Sequence, residues 1–451
     1  MILCLLAFTP GILLAARAWM GPLPFLRSPM NAESIFSLAV IAAMLGLAGP
    51  GKVIPGYSAT VRYWAATSLG LVAAAFGWTL WFPFTSDDYV HVLTASQASL
   101  EGLGNYFTVP ADDFHFRPLA MLGYWLEYQW AGTNEWLWRA SNLAIHLVNC
   151  ALVYGLARQL DLSSRAAAFA AAIFGVHGSR PEVVAWIAAR FDLMATLFVL
   201  AGLLLWMVSE SSRAAYAGAL ACCLLGLLSK ESAFVFPVLA TLLGGVRRWR
   251  SAIPFYILAA AVFTYRWWLL GGIGGYRAPG SGAAILEFSL LRSLKGLLLR
   301  LPATLFFPVN WSREIEWWLG AAMLLLVAAM VAWIWLRPSG DSSGRGWMLA
   351  AFTLAAALPA QHLLLIGPDL EKSRVLYLPS VGFAMLLASA VGSRWWVLGA
   401  VVVFQFAALQ HNLRIWGDVS QMGRAVCASL ADRMREGLVE LRQPPNVVEG
   451  V

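Results

Sequence analysis

The sequence predicts an all-α integral membrane protein, a polytopic helical bundle. Three observations carry that reading. Of 451 residues, 60% are hydrophobic and only 12% charged, about half the charged share of a soluble domain. Apolar stretches of roughly 18 residues or more recur along the chain and read as spanning helices. The charged residues gather into short islands between those stretches. A water-soluble enzyme, a disordered chain and a collagen-like fibre are excluded. The formal net charge of +7 is not concentrated in a basic domain, so nucleic acid is not an expected partner. Of the five cysteines (Cys4, Cys150, Cys222, Cys223, Cys427), four sit in apolar stretches, which implies no secreted disulfide framework.

The elements follow in order. Met1 to Met20 is apolar but lacks a charged leader and a small-residue exit, so it reads as a retained first helix. Further spans are predicted near 34–50, 64–84, 136–157, 166–178, 192–208, 214–229, 232–246, 251–270, 314–336, 346–366, 376–391 and 395–411, about 13 in all. Residues 289–309 are apolar but carry Arg292, Lys295 and Arg300. At 100° per residue these fall within an arc of about 140°, which suggests a helix lying at the interface. The chain divides into N-terminal spans (1–63), a transmembrane domain (64–411) and a short tail (412–451).

Short-loop Lys and Arg set the orientation. With the N-terminus in the cytoplasm, the inner turns hold Lys52, Arg62, Arg158, Arg165, Arg213, Arg247, Arg248, Arg250, Arg337, Arg345 and Arg394, against the acids Asp161, Glu210 and Asp341. The polar islands 85–135, 177–192, 229–231, 271–313 and 367–375, and the tail, then share the non-cytoplasmic side. A transport pathway would place ionisable groups near the bilayer midplane. Clustering at one rim suits chemistry on a lipid whose polar head reaches that surface.

The first outer loop is about 50 residues long, and structureless loops beyond about 15 residues are uncommon unless functional. It is expected to contain short helices. Asp87 and Asp88 follow Trp81-Phe82-Pro83-Phe84 at the mouth of a span. Adjacent carboxylates repel, so one pKa rises unless donors or a cation compensate. The pair reads as a general base, as a divalent-metal site, or more blandly as a helix start with solvated charge. His115-Phe116-Arg117-Pro118 follows Asp112-Asp113. Arg117 reads first as a clamp on those acids and second as a phosphate ligand. Arg139, Asn142, His146 and Asn149 lie within an arc of about 80° on one helix and must turn inward for partners; Arg139, nearest the outer surface, is the one that could face the site. His177, Glu182, Arg190 and Asp192 surround Pro181, whose helix-breaking ring rules out a zinc-binding helix signature. Arg190 and Asp192 in an apolar run need partners. Lys230-Glu231 reads as a helix-capping ion pair or as a lipid-phosphate hold. In Asp369 to Ser380, Arg374 and Tyr377 lie nearest the span.

Taken in order, Asp87-Asp88, Phe116-Arg117-Pro118-Leu119, Asn142 to Asn149, His177 to Asp192, Leu228-Ser229-Lys230-Glu231 and Arg374-Val375-Leu376-Tyr377-Leu378-Pro379-Ser380-Val381-Gly382-Phe383 resemble the membrane region of the transmembrane and tetratricopeptide-repeat protein O-mannosyltransferases and their bacterial relatives, within the GT-C class of polytopic glycosyltransferases. The resemblance covers roughly residues 80–418. It implies a GT-C-like bundle that moves a monosaccharide from a polyprenyl-phosphate donor to an acceptor hydroxyl on the non-cytoplasmic side. It implies Asp87 as general base with Asp88 as its partner or a metal ligand, and Lys230, Arg374, Arg190 and Arg117 as donor-phosphate ligands. His115, His177, Glu182, Asp192, Glu231 and Tyr377 are expected in support. A divalent cation fits this scheme without being required by it. The acceptor could be a protein, a glycan or a lipid, and a bacterial inner membrane is the expected location. Two departures stand out. No 34-residue repeat follows His411, and the family's His-Pro step is His177-Gly178, with Arg180 in place of a second histidine. A lipid-linked-sugar flippase and a non-catalytic membrane scaffold are the competing classes.

Overall fold

The computed structural model describes residues 59–110, 115–274, 289–335, 344–358, 360–391 and 394–436. The expected first two spans, the tail beyond 436 and Asp112-Asp113 lie outside the described residues. Among those described, every regular element is helical. The main helices are α1 (Ala59–Phe76), α2 (Asp88–Gln97), α3 (Pro118–Ala131), α4 (Glu135–Gln159), α5 (Ser164–Gly175), α6 (Arg190–Val208), α7 (Arg213–Ser229), α8 (Phe236–Leu270), α9 (Trp317–Trp335), α10 (Gly344–Ala356), α11 (Pro379–Val391) and α12 (Trp395–Glu436). Among the described residues, five stretches are long and apolar enough to cross a membrane: Arg62–Trp81, Glu135–Gln159, Ile187–Ser211, Glu231–Leu270 and Trp395–Ala431. A shorter apolar helix lies at Ser164–Gly175, Arg213–Ser229, Trp317–Ala329, Gly346–Ala356 and Pro379–Val391. This is an all-α architecture with membrane-length helices, as the sequence predicts.

Local chemistry explains the boundaries. Asn134 caps α4 by accepting from the amides of Trp136 (3.1 Å) and Leu137 (3.4 Å), and Ser163 and Ser212 do the same for α5 and α7, satisfying amides that a helix start leaves open. Gly245 interrupts α8 at φ +64°, a region glycine enters without steric penalty. The two arms fold back on each other, with Thr241 Oγ1 3.1 Å from Tyr256 Oη and the Phe236 and Phe255 rings 5.0 Å apart. The sequence's separate segments 232–246 and 251–270 are the two arms of that hairpin.

Other boundaries differ from the sequence reading. The segment 346–366 is helical only to Ala356; a 3₁₀ turn, Ala360–Leu365, follows. The interfacial stretch is helical from Leu290 to Phe306 with a π turn in its middle, and Leu290, Leu291, Leu294, Leu298 and Leu299 are exposed. Residues 412–436, expected as tail, continue α12. The helix persists because polar side chains replace apolar ones without any Gly-Pro stop. Asn412 also anchors it, donating to the Gly178 (2.7 Å) and Pro308 (2.9 Å) carbonyls. Those contacts explain the His177-Gly178 departure: a Cβ at 178 would lie 2.4 Å from the Pro308 carbonyl oxygen.

Candidate active site

The site is organised by the eleven residues from Glu182 to Asp192. Pro181 opens a π turn over 181–185, Trp186 is extended, a 3₁₀ turn covers Ile187–Ala189, and α6 starts at Arg190. A chain that is not continuously helical leaves backbone groups for outside partners. The Ala188 amide donates to Asp88 Oδ1 (3.0 Å), and the Ile187 carbonyl accepts from Tyr124 Oη (2.9 Å). Asn142 on α4 donates to the Trp186 carbonyl (3.1 Å).

The first outer loop docks on this segment, and its two aspartates part company. Asp88 is fully buried. Its carboxylate accepts from the Thr85 amide (3.0 Å), the Ala188 amide and Arg139 Nη2 (3.1 Å). Burial raises its pKa, and Arg139 with the backbone donors opposes that rise. Arg139 also donates to the Phe82 and Pro83 carbonyls. So Arg139 and Asp88 lock the loop to α4 and to the 187–189 turn. The oxygens of Asp88, expected as the partner of Asp87 or as a metal ligand, are turned inward to these three donors and anchor the loop. Among the described residues no group of three or more His, Cys, Asp and Glu is arranged to hold a metal ion. Asp87 is exposed. Its carboxylate takes part in no hydrogen bond or ion pair with the described residues. The mutual repulsion expected from adjacency is relieved because one side chain points in and the other out.

Three cations and their acids form the second half of the site. Lys230 Nζ lies 2.5 Å from Asp192 Oδ2. Arg117 pairs with Glu231 (2.9 Å), which also holds Arg266 of α8 (3.0 Å). Arg374 pairs with Glu182 (2.6 Å), whose carboxylate further accepts from the amides of Lys372 (3.0 Å) and Arg374 (2.7 Å) and from Ser373 Oγ (3.2 Å). Burial pushes the Glu182 pKa up; Arg374 and those donors pull it back. Burial lowers the Lys230 pKa, Asp192 opposes that, and the charges of Arg117 and Arg374 lower it further. Arg117 and Arg374 are therefore each close enough to repel Lys230. Lys230, Arg117 and Arg374 keep 14%, 17% and 19% of their side-chain exposure, so they remain reachable. His362 faces the same cluster and is held below the usual imidazole range by burial and by Lys230.

The bland alternatives resolve in detail. Lys230 and Glu231 do not cap a turn together; each binds a different element. Arg117 holds Glu231 and lies 4.8 Å from the Phe191 ring. Arg190 and Asp192 do not pair with each other either. Arg190 is bound by Glu127, by Asn142 (2.8 Å) and by the Trp138 carbonyl (3.2 Å), between the Tyr124 and Trp138 rings. It has no open face, so the expectation that it binds donor phosphate is withdrawn. His177 and Tyr377 are held in buried networks. His177 Nε2 donates to the Leu305 carbonyl (3.0 Å) and Nδ1 meets Ser179 (2.9 Å). Tyr377 Oη meets His146 (2.7 Å) and Asn149 (3.1 Å).

Sequence reasoning missed Trp186, Glu127 and Arg266. The Trp186 ring lies 5.0 Å from the Arg374 guanidinium, and its buried Nε1 has no acceptor among the described residues. Nothing in a Trp-rich sequence singles it out. Arg266 was detectable, because a charge inside an apolar run needs a partner.

No family model matches the chain. It is similar to two curated proteins. One is the protein O-mannosyl-transferase F38B6.6 of Caenorhabditis elegans, 25% identical over 294 residues, covering 60% of this chain and 42% of the relative. The other is the protein O-mannosyl-transferase TMTC3 of Homo sapiens, 22% identical over 331 residues, covering 60% of this chain and 35% of the relative. The chain thus spans less than half the length of the relatives it matches.

Proposed function

We propose that this chain is a membrane glycosyltransferase that moves a mannose-type sugar from a polyprenyl-phosphate donor to an acceptor hydroxyl at the non-cytoplasmic rim, in a bacterial inner membrane. One observation carries the reading. Lys230, Arg117 and Arg374, far apart in sequence, converge on the 182–192 segment that also anchors the loop bearing an unpaired, exposed Asp87.

Each group has a role. Asp87 takes the proton from the acceptor hydroxyl. The acceptor oxygen then bonds to the sugar C1 as the bond from C1 to the phosphate oxygen breaks, and the departing lipid phosphate keeps that electron pair. Lys230, Arg374 and Arg117 stabilise the charge it gains. Trp186 Nε1 supplies a further donor to a phosphate oxygen. Asp192, Glu231 and Glu182 fix the cations until the donor arrives, which is why a positive cluster persists without a ligand. With Asp87 acting as base on the acceptor and Asp88 committed to Arg139, no carboxylate attacks C1. A single displacement follows, and it inverts the anomeric centre.

The test is turnover of a radiolabelled polyprenyl-phosphate mannose by the purified full chain, read as release of lipid phosphate. Asp87→Asn is expected to slow release by roughly 10²–10⁴-fold at unchanged yield. Translocation across vesicles without cleavage would support the flippase reading instead.

A further inference from the structure

A second cleft opens beside the acidic loop, formed by the ends of α3 and α12, the start of α4 and the turn after α1. Its volume is about 630 Å³, inside the ~300–1,000 Å³ range of small-ligand sites. Trp81, Trp130 and Trp136 line it together with Thr133, Glu135 and Arg424. Glu135 is the joint between this cleft and the site. Its Oε1 accepts from the Phe84 amide (3.0 Å), and its Oε2 pairs with Arg424. Asp87 is three residues beyond Phe84, so at most about 11 Å of chain separates them.

We propose that this cleft is the acceptor subsite and that it takes a neutral saccharide; the acceptor role rests on the transferase reading above. Flat indole faces cover the C–H faces of a sugar ring, and the carboxylate, guanidinium and hydroxyl at the rim match its hydroxyls. A polypeptide fits less well. The walls are helical, so their backbone groups are mostly used internally and offer no edge on which a strand could add. Trp130 is 60% exposed and Arg424 half exposed, so both are open to a ligand. An aromatic belt would explain isolated tryptophans, but not three of them around an ion pair.

The full chain in nanodiscs is titrated calorimetrically with mannobiose, cellobiose and chitobiose, without donor. Saturable binding of at least one disaccharide is expected. Trp130→Ala and Arg424→Ala should each weaken it about tenfold, whereas Trp268→Ala, an exposed tryptophan of α8, should leave it unchanged. No saturable binding, binding insensitive to both cleft variants, or binding only of a Ser/Thr-rich peptide overturns the proposal. Because binding is read without donor, absence of donor cleavage in the wild type defeats the transferase reading alone. With donor present, the KM for the bound disaccharide should rise about tenfold in Trp130→Ala. An unchanged KM removes the acceptor role.

Discussion

Two polar networks lie within this apolar bundle, and they are built on opposite rules. The inner one joins Arg180, Ser380, Tyr377, His146 and Asn149, with His177 nearby. Arg180 is completely buried and has no carboxylate partner among the described residues. It donates to the Phe174 carbonyl (2.8 Å) and to Ser380, and sits 4.7 Å from both the Phe174 and Tyr377 rings. Burial lowers its pKa to about 10 and, with Arg180's own charge, holds His177 well below the imidazole range, hence neutral. The outer network is the reverse: each cation has an acid, each pair is partly exposed, and like charges crowd together. A sealed network with neutral partners has one arrangement and fixes the fold. A reachable network of ion pairs can exchange an internal carboxylate for an incoming anion. Burial of charge therefore does not by itself point to function in this protein; on the proposed reading, exchangeability is the feature that separates the two networks.

The largest effect should come from breaking the inner network. Arg180→Ala leaves a carbonyl and a hydroxyl without their donor and opens a cavity. It is expected to lower stability by roughly 3–5 kcal/mol, seen as a fall in the melting temperature or loss of monodisperse protein on size exclusion. Lys230→Gln should behave oppositely. Its melting temperature should fall less than that of Arg180→Ala, because glutamine can still donate to Asp192, while lipid-phosphate release falls roughly 10²–10³-fold, the usual loss on removing one charge-stabilising donor. If Lys230→Gln unfolds the protein and Arg180→Ala only slows it, the contrast between the networks is wrong.

The inner network was the less legible of the two in the sequence. Arg139, Asn142, His146 and Asn149 announce an inward stripe by their spacing, but the helical period cannot say that Arg139 meets Asp88 while His146 meets Tyr377. Arg180 reads as a departure from a family histidine, and only the tertiary packing explains how it is accommodated. The cations of the outer network were visible because charge is rare in this chain. Their partners were not, since adjacency suggested Arg190 with Asp192 and Lys230 with Glu231. The observed pairs run across elements, because side chains neighbouring in sequence at a helix start point different ways. The helices were legible wherever apolar runs exceed a membrane's thickness. They were misjudged at Ala356, where hydropathy continues and the helix stops, and beyond His411, where hydropathy ends and the helix does not.

The pH response should separate the networks further. Lys230 has a pKa below its ordinary 10.5, and donor binding needs the charged form, which is present below that pKa. Affinity for the lipid-phosphate donor should hold at neutral pH and fall as pH rises through the depressed value, by up to tenfold per unit. In Lys230→Arg the fall should disappear from the alkaline range, because a guanidinium stays protonated there. The measurement is donor affinity by titration from pH 7 to 10. An identical alkaline fall in both proteins would show that another group titrates.

Trp186→Phe is the smallest change and the sharpest. Phenylalanine keeps an aromatic face beside Arg374 and removes only the Nε1 donor, which has no acceptor among the described residues. If that N–H has no partner at any stage, its removal relieves a buried unsatisfied group, and stability should rise slightly with no change in KM or turnover. If it waits for a donor oxygen, stability should be unchanged or slightly higher, while the KM for the lipid-phosphate donor rises about three- to tenfold, the value of one hydrogen bond of about 1 kcal/mol. The two outcomes differ in KM alone, so one kinetic comparison decides whether the outer network was built around an absent anion.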